Sequence, residues 1–298
     1  MLHWDLVDSG SAASDSACEL KMSKVLLLTA LLLIPASTLP LSGQAPTAEA
    51  PVRGQVYQLV EGGLSDELRQ QLGPDRLALL EKLNRADVAH LRRLSVLVIP
   101  ASGEDDELRH SPLPLTYGWA SGFPKAIVVH LPSQTFGAYE QGSLVRWGPI
   151  SSGRAADPTP SGLFALNWKS PGRRSSMNPA WLLRWYFNFE RKRGIAFHQH
   201  PLPGRPVSHA CVRLLERDAR WLYDWGERRV ADKRGTVVTP GTPVLILGQY
   251  DFGAPPPWLS LDRLAEGVEL PEEVQRDPIE ISGEAARSGL RRDPQERP

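Results

Sequence analysis

The sequence has few cysteines and no net charge. Its 298 residues include two cysteines, Cys18 and Cys211, and its 34 basic side chains balance 34 acidic ones. This balance offers no electrostatic basis for binding nucleic acid, so no nucleic-acid partner is expected. The chain has no Cys-x-x-Cys pair, which argues against a closed structural zinc site, because such a site usually has four ligands. We therefore expect no metal and no cofactor.

The apolar run at Val25–Ile34 is too short to cross a bilayer comfortably, since a membrane helix needs ~20 residues. Lys21 and Lys24 precede the run and Pro35 ends it, which is typical of a signal peptide. A buried helix is the competing interpretation. The residues before the run are polar and acidic, so we predict that translation starts at Met22. Export to the periplasm or cell envelope follows, with an uncleaved membrane anchor as the alternative.

The rest of the chain divides by composition. Residues 1–45 form the leader and signal peptide, and residues 46–54 are a linker rich in small residues and proline. Residues 55–102 follow the order strand, helix, helix, strand, with helices predicted over 64–72 and 75–84 between strands at 55–60 and 94–99. Residues 105–121 are predicted to be a polar connector, and residues 254–298 a Pro-rich charged tail without regular structure.

Residues 124–249 are typical of a mainly β domain. Short β-rich runs alternate with turn residues, and one helix is predicted over 216–227, where apolar residues recur at helical spacing. The sequence therefore predicts a sheet with a helix packed on it, preceded by a small α+β module. The predicted strands cover residues 125–131, 135–140, 144–152, 163–168, 194–198 and 244–247.

Cys211 is the strongest candidate for chemistry. If the leader is removed, it is the single cysteine of an exported chain, where an unpaired thiol is either buried and inert or kept for its reactivity. His198, His200 and His209 lie within fourteen positions before it, and an imidazole is what a catalytic thiol needs to become a nucleophile. Zinc binding and an inert core cysteine are the competing interpretations, and the spacing of His209 and Cys211 is unusual for zinc ligands.

The residues around Cys211 also resemble a known family. Residues 208–214, Ser-His-Ala-Cys-Val-Arg-Leu, are similar to the Ser-His-Gly-Cys-x-Arg box of the L,D-transpeptidase (YkuD-like) catalytic domain. Further features occur in the family's order: a strand at 127–129, a second strand ending in Tyr139, the turn Thr-Pro-Ser-Gly at 159–162, His198 at the end of a strand, and Gly-Thr-Pro-Val at 241–244. The resemblance covers residues 124–249 and implies a β-sandwich-like domain that acts on peptidoglycan stem peptides.

The resemblance assigns roles to individual residues. It implies that Cys211 is the nucleophile, that His198 is its base, and that His209 orients or supports the thiolate. Substrate or oxyanion contacts are expected from Ser208, Ala210 and Arg213, although Ser208 and Arg213 have purely structural alternatives. Within the aromatic stretch 181–189, Trp185 and Tyr186 are the candidates for lining the substrate groove. His200 matches no family position and is left out of the predicted site.

Two features remain open at this level. Ala210 stands where the family usually has glycine, and its methyl group is unfavourable if that position needs a positive φ. Residues 55–102 resemble a degenerate LysM peptidoglycan-binding module, with a structural cap on the catalytic domain as the alternative. The expected function is a peptidoglycan L,D-transpeptidase. An L,D-carboxypeptidase, a lipoprotein-anchoring enzyme or a non-catalytic wall-binding protein are the alternatives.

Overall fold

The computed structural model describes residues 56–101 and 106–272. These residues belong to one compact unit, Gln44–Pro298. The predictions for the signal peptide, the linker at 46–54 and the tail beyond residue 272 lie outside the described residues. Within the described ranges, every helix is too short or too polar to span a membrane.

The N-terminal segment, residues 56–101, has the predicted order of elements. Strand β1 (Tyr57–Glu61) pairs antiparallel with β2 (Val96–Pro100), and helices α1 (Asp66–Asn84) and α2 (Val88–Leu91) lie between them in the chain. Gly73 has a φ of 68° inside α1 and Pro74 follows it, so α1 is kinked where the sequence predicts two helices. The likeness to LysM stays a prediction.

The remaining strands confirm a mainly β fold. Their bounds are β3 (Lys125–His130), β4 (Thr135–Glu140), β5 (Ser143–Ser151), β6 (Gly162–Ala165), β7 (Lys169–Arg174), β8 (Leu182–Glu190), β9 (Ile195–Gln199), β10 (Val212–Leu214), β11 (Val230–Ala231), β12 (Val237–Thr239) and β13 (Pro243–Leu247). Nine of them form a single mixed sheet in the order β6-β13-β3-β4-β5-β10-β9-β8-β7, and β11 and β12 form a separate small ladder. The nine pair antiparallel except for the parallel neighbours β13 with β3 and β10 with β9.

Helix α3 (Glu216–Trp225) is the packed helix that the sequence predicts. Its apolar side chains Ala219 and Leu222 are buried in one cluster with Phe187 of β8 and Phe197 of β9. Burying a side chain the size of Leu222 contributes roughly 1.5–3 kcal/mol. The helix therefore supports the two strands that precede and flank the cysteine box.

Two predicted irregular regions are more ordered than expected. In the 105–121 connector, Leu113, Tyr117 and Trp119 are buried in the core, so this part is not a polar linker. In the predicted tail, α4 (Leu261–Glu266) forms, and Trp258 is buried in the same core. Both corrections have one cause. Each stretch has a few large apolar side chains that pack against the sheet, but these side chains do not recur with the regular spacing from which a helix or strand is predicted.

The N-terminal segment shares a core with the sheet. Leu83 of α1 and Val98 of β2 are fully buried in the same cluster as Trp147 of β5. The Lys82 ammonium donates to the carbonyl oxygen of Trp147 at 2.6 Å and forms an ion pair with Glu107. These contacts favour the interpretation of residues 56–101 as a structural cap on the β domain.

Candidate active site

Cys211 and His198 come together through the parallel pairing of β9 and β10. The ladder pairs Val212 with Phe197 and Arg213 with His198, so Cys211 lies beside Ala196. Because side chains alternate along a strand, positions 198 and 200 share a face with positions 211 and 213. Although His198 and Cys211 are thirteen positions apart in the chain, they therefore lie on the same face of neighbouring strands.

These side chains line a common cavity of about 170 Å³. Of the predicted site residues, Cys211, His198, His209, Ser208, Arg213 and Tyr186 are among those that line it. His200 also lines the cavity, although it lies outside the predicted site. The alternation of strand positions from His198 could have indicated this, since the two imidazoles lie 5.9 Å apart between ring centroids.

His198 is held in one tautomer by its neighbour's backbone. Its Nδ1 lies 3.1 Å from the carbonyl oxygen of Gln199, and because a carbonyl only accepts, Nδ1 carries the proton. The lone pair is then on Nε2, which is the arrangement that a general base requires. Burial lowers the pKa of His198 to about 4, so the imidazole is neutral at pH 7. This partner was not predicted, because it is a backbone group.

The Cys211 thiol is in a mixed electrostatic environment. Burial raises the pKa of Cys211, while a hydrogen bond from the backbone of Ala196 and the guanidinium groups of Arg213, Arg193 and Arg173 oppose that increase. The sulfur also lies 4.0 Å from the carbonyl oxygen of Gly194. A neutral thiol next to a neutral imidazole therefore describes the resting site, rather than the thiolate that the sequence analysis expected.

Ala210 adopts the positive φ that the sequence analysis considered, with a value of 71°. Its side chain is buried in the cluster that also contains Val212. The Thr159 hydroxyl donates to the carbonyl oxygen of Ala210 at 2.8 Å and accepts from the backbone N–H of Gly153 at 2.9 Å. The Thr-Pro-Ser-Gly turn thus supports the cysteine box directly, a role that its sequence does not reveal.

Ser208 and Arg213 have clear structural contacts. The Ser208 hydroxyl donates to the carbonyl oxygen of Cys211, which closes the turn around Ala210. The Arg213 guanidinium donates to the carbonyl oxygens of Pro201 and Val207 at 3.4 and 3.5 Å. Both residues also line the cavity, so bracing the loop and contacting a substrate are compatible roles.

The two aromatic groove candidates lie on opposite sides of β8. Tyr186 lines the cavity, and its hydroxyl donates to the carbonyl oxygen of Gly194 at 2.7 Å. Trp185 instead packs against Tyr223 and Arg220 of α3. The prediction that Trp185 lines the groove is therefore corrected: neighbouring strand residues face opposite ways, and its partner is the helix.

Comparison with known families gives this site its context. Residues 124–246 match the family model described as YkuD, L,D-transpeptidase catalytic domain. These residues form an L,D-transpeptidase catalytic domain. The matched region begins immediately before β3, ends in β13 and contains His198 and the whole cysteine box.

Solved L,D-transpeptidase structures are also similar to the chain. One from Mycobacterium smegmatis is 22% identical with a TM-score of 0.34, covering 42% of this chain and 59% of that one. One from Stackebrandtia nassauensis is 23% identical with a TM-score of 0.35, covering 43% and 57%, and one from Mycobacterium tuberculosis H37Rv is 24% identical with a TM-score of 0.33, covering 42% and 58%. Each match spans less than two thirds of the solved chain. No curated protein matches the chain.

Proposed function

We propose that this protein is an exported peptidoglycan L,D-transpeptidase that forms a thioester between Cys211 and a stem tetrapeptide. One observation carries the proposal: Cys211 and a tautomerically fixed, neutral His198 share a cavity within an L,D-transpeptidase catalytic domain. The substrate is the tetrapeptide of the cell wall, and the cell envelope is where the exported enzyme meets it.

In the acylation step, Cys211 Sγ attacks the carbonyl carbon of the diamino acid at position three. The thiol proton passes to Nε2 of His198 as the carbon–sulfur bond forms. The tetrahedral intermediate then collapses, the bond to the terminal D-Ala breaks, and the imidazolium returns its proton to the amine of the departing D-Ala. Because burial lowers the pKa of His198 to about 4, its imidazole is unprotonated at pH 7 and can accept the thiol proton.

In the second step, an amine of another stem peptide attacks the thioester carbonyl. His198 takes the proton of that amine and delivers it to the departing Cys211 sulfur, which restores the starting site. Water in place of the amine gives an L,D-carboxypeptidase, and a lipoprotein lysine gives an anchoring reaction. His209, whose ring lies 6.3 Å from that of Trp181 between centroids, contributes to the wall of the cavity in which the acceptor arrives.

The charge of the cavity favours an anionic acyl donor. Arg173, Arg193 and Arg213 line it, and the described residues that line it include no Asp or Glu. A guanidinium can bind a carboxylate with two parallel hydrogen bonds. The free carboxylate of a diamino acid or of the terminal D-Ala is such a group. The backbone N–H groups of Ala210 and Cys211 are the candidate oxyanion donors, and losing one such donor typically costs ~3 kcal/mol in the barrier.

The decisive experiment incubates the full-length protein with purified stem tetrapeptide and follows it by intact-protein and peptide mass spectrometry. We expect one adduct, equal in mass to the tetrapeptide minus D-Ala, on the peptide that contains Cys211. Adding a diamino-acid amine should transfer the acyl group and regenerate the free protein. Transfer to water alone would assign a carboxypeptidase.

Matched variants make this test specific. Cys211→Ala should form no adduct, whereas Cys18→Ser, introduced into protein expressed from Met1 to remove the other thiol, should form it normally. His198→Ala should acylate roughly 10²–10⁴ times more slowly, the usual contribution of a general base. Folded wild-type protein whose Cys211 stays unmodified after prolonged exposure to tetrapeptide would refute the proposal.

A further inference from the structure

The loop that carries the site, residues 200–211, touches the N-terminal segment along a short antiparallel contact. Ala86 and Pro203 form a β-bridge. The backbone N–H of Asp87 donates to the carbonyl oxygen of Leu202 at 3.0 Å, and that of Gly204 donates to the carbonyl oxygen of Arg85 at 3.2 Å. We call residues 200–211 the catalytic loop and residues 85–87 the clamp.

A side chain reinforces this backbone pairing. Oδ2 of Asp87 accepts from the backbone N–H of Leu202 at 2.8 Å, while Oδ1 accepts from the backbone N–H of His90 at 3.1 Å and caps α2. One carboxylate therefore joins a helix start in the N-terminal segment to the catalytic loop. Leu202 is fully buried, so its amide has no access to water as a substitute partner.

The backbone conformation on both sides of the contact fits this pairing. Arg85 has a φ of 56°, an unfavourable value for a non-glycine residue, and its buried guanidinium is held by the carbonyl oxygens of Ser133 and Leu83 at 2.8 and 3.0 Å. On the loop side, Gly204 has a φ of 76°, and a Cβ there would meet the side chain of Leu94 at 3.3 Å. The close approach of the two segments thus depends on a glycine.

Along the chain, the contact at Pro203 lies between His198 and Cys211. The catalytic loop begins directly after His198 and Gln199 of β9 and ends at Cys211, and its members His200, Ser208 and His209 line the cavity. The loop is also supported at the end of β5, where Ser208 donates its backbone N–H to the carbonyl oxygen of Ser152 at 3.0 Å, and by the Arg213 guanidinium, which donates to the carbonyl oxygens of Pro201 and Val207. The clamp holds the part between these contacts, residues 202–204.

We propose that the clamp is a positioning element of the active site and that Asp87 is its principal positioning residue. The inference rests on the proposed function and deepens it. By holding Leu202 and Gly204, the clamp sets the path of the catalytic loop and hence the relative placement of Cys211, His209 and His198. The N-terminal segment thereby acts on catalysis without contacting the substrate.

Asp87→Asn tests this role. Asn caps a helix as well as Asp does, so Oδ1 can keep its bond to the His90 backbone N–H, and it can still accept from the ring Nδ1 of His90, which lies 2.8 Å away. The other position becomes an NH₂ group, which is a donor and cannot accept from the Leu202 N–H. The matched control is Asp66→Asn, since Asp66 lies in the same segment but pairs with the exposed side chain of Arg92.

Three quantities should be measured on full-length protein: the limiting rate and KM of acylation by tetrapeptide, amide hydrogen exchange at Leu202, and the pH profile of Cys211 alkylation by iodoacetamide. For Asp87→Asn we expect faster exchange at Leu202 and a limiting acylation rate about tenfold lower, a factor that corresponds to 1.4 kcal/mol in the barrier, with a smaller change in KM. Alkylation near neutral pH should become faster as the loosened loop exposes the thiol. Asp66→Asn should match the wild type in all three.

Acylation by Asp87→Asn at the rate of Asp66→Asn, with faster exchange at Leu202, would overturn the inference. If the wild-type protein takes up no acyl group, the proposed function fails, and the role of the clamp is then judged from the pH profiles of Cys211 alkylation. A profile that shifts in Asp87→Asn but not in Asp66→Asn supports the clamp, whereas identical profiles exclude it. If Asp87→Asn does not fold, Gly204→Ala disturbs the contact from the loop side and should give the same pattern.

Discussion

Replacing Ala210 by glycine isolates the strain in the cysteine box. Ala210 has a φ of 71°, and a left-handed conformation costs an L-residue roughly 1–2 kcal/mol. Glycine removes this cost but adds roughly 0.5–1 kcal/mol of backbone entropy on folding. It also gives up a buried methyl group, which is worth about 0.8 kcal/mol. These terms nearly cancel, so we expect the free energy of unfolding of Ala210→Gly to lie within about 1 kcal/mol of the wild-type value.

The same variant should acylate as fast as the wild type or faster. The Thr159 hydroxyl holds the carbonyl oxygen of residue 210, and Ser208 holds that of Cys211. Neither contact needs the methyl group, so the backbone N–H groups proposed to stabilise the oxyanion should keep their positions. Ala210→Val is the informative contrast, because a β-branched side chain at positive φ is strongly disfavoured, and it should lose both stability and acylation.

Urea unfolding followed by fluorescence gives the stability, and stopped-flow acylation with tetrapeptide gives the rate. A drop of tenfold or more in the acylation rate of Ala210→Gly, about 1.4 kcal/mol in the barrier, would contradict the reasoning. It would mean that the packing of the methyl group in the core positions the loop, and that alanine is required there rather than tolerated.

Three further predictions concern charge and the shared core. Because burial lowers the pKa of His198 to about 4, the base stays deprotonated above that value, so acylation should be as fast at pH 5.5 as at pH 7; a loss centred near pH 6.5 would contradict this. Arg193→Gln removes a positive charge that opposes the raised pKa of Cys211, so iodoacetamide alkylation at pH 8 should slow by about two- to threefold, with Lys192→Gln as the control. Burial lowers the pKa of Lys82 to about 7, so between pH 7 and 9.5 the unfolded chain binds more protons at this site than the folded one. Wild-type stability in urea should therefore rise with pH relative to Lys82→Met across that window, and a constant difference would refute the assignment.

Much of the fold follows from local patterns in the sequence. Alternating and continuous apolar runs predicted β3, β4, β5, β9 and β13 within a residue or two, and the helical spacing of Ala219 and Leu222 predicted α3. These succeed because strands and helices with one buried face carry a period that can be seen locally. Of the strands in the nine-stranded sheet, β7, β8 and β10 were missed. β7 is mostly polar, β10 is three residues long, and the aromatic stretch that forms β8 was considered only for packing or for lining the groove.

The sequence by itself also predicted which side chains meet. Cys211, His198 and the box around them were singled out from residue types, their order and the family resemblance, and in the structure both residues line one cavity. The positive φ at Ala210 was considered as well, since glycine is the usual residue where that conformation occurs.

Only the tertiary structure decided how these residues are supported. Three hydrogen bonds support the site, and each has a backbone group as one partner. They join the His198 ring to the Gln199 carbonyl, the Thr159 hydroxyl to the Ala210 carbonyl, and the Asp87 carboxylate to the Leu202 N–H. The last two span 51 and 115 positions of the chain. Every non-proline residue has the same backbone donor and acceptor, so nothing in the sequence distinguishes the ones that meet these partners. The protonation of Cys211 and His198 depends on burial for the same reason, because how far a side chain is removed from water is set by the whole fold.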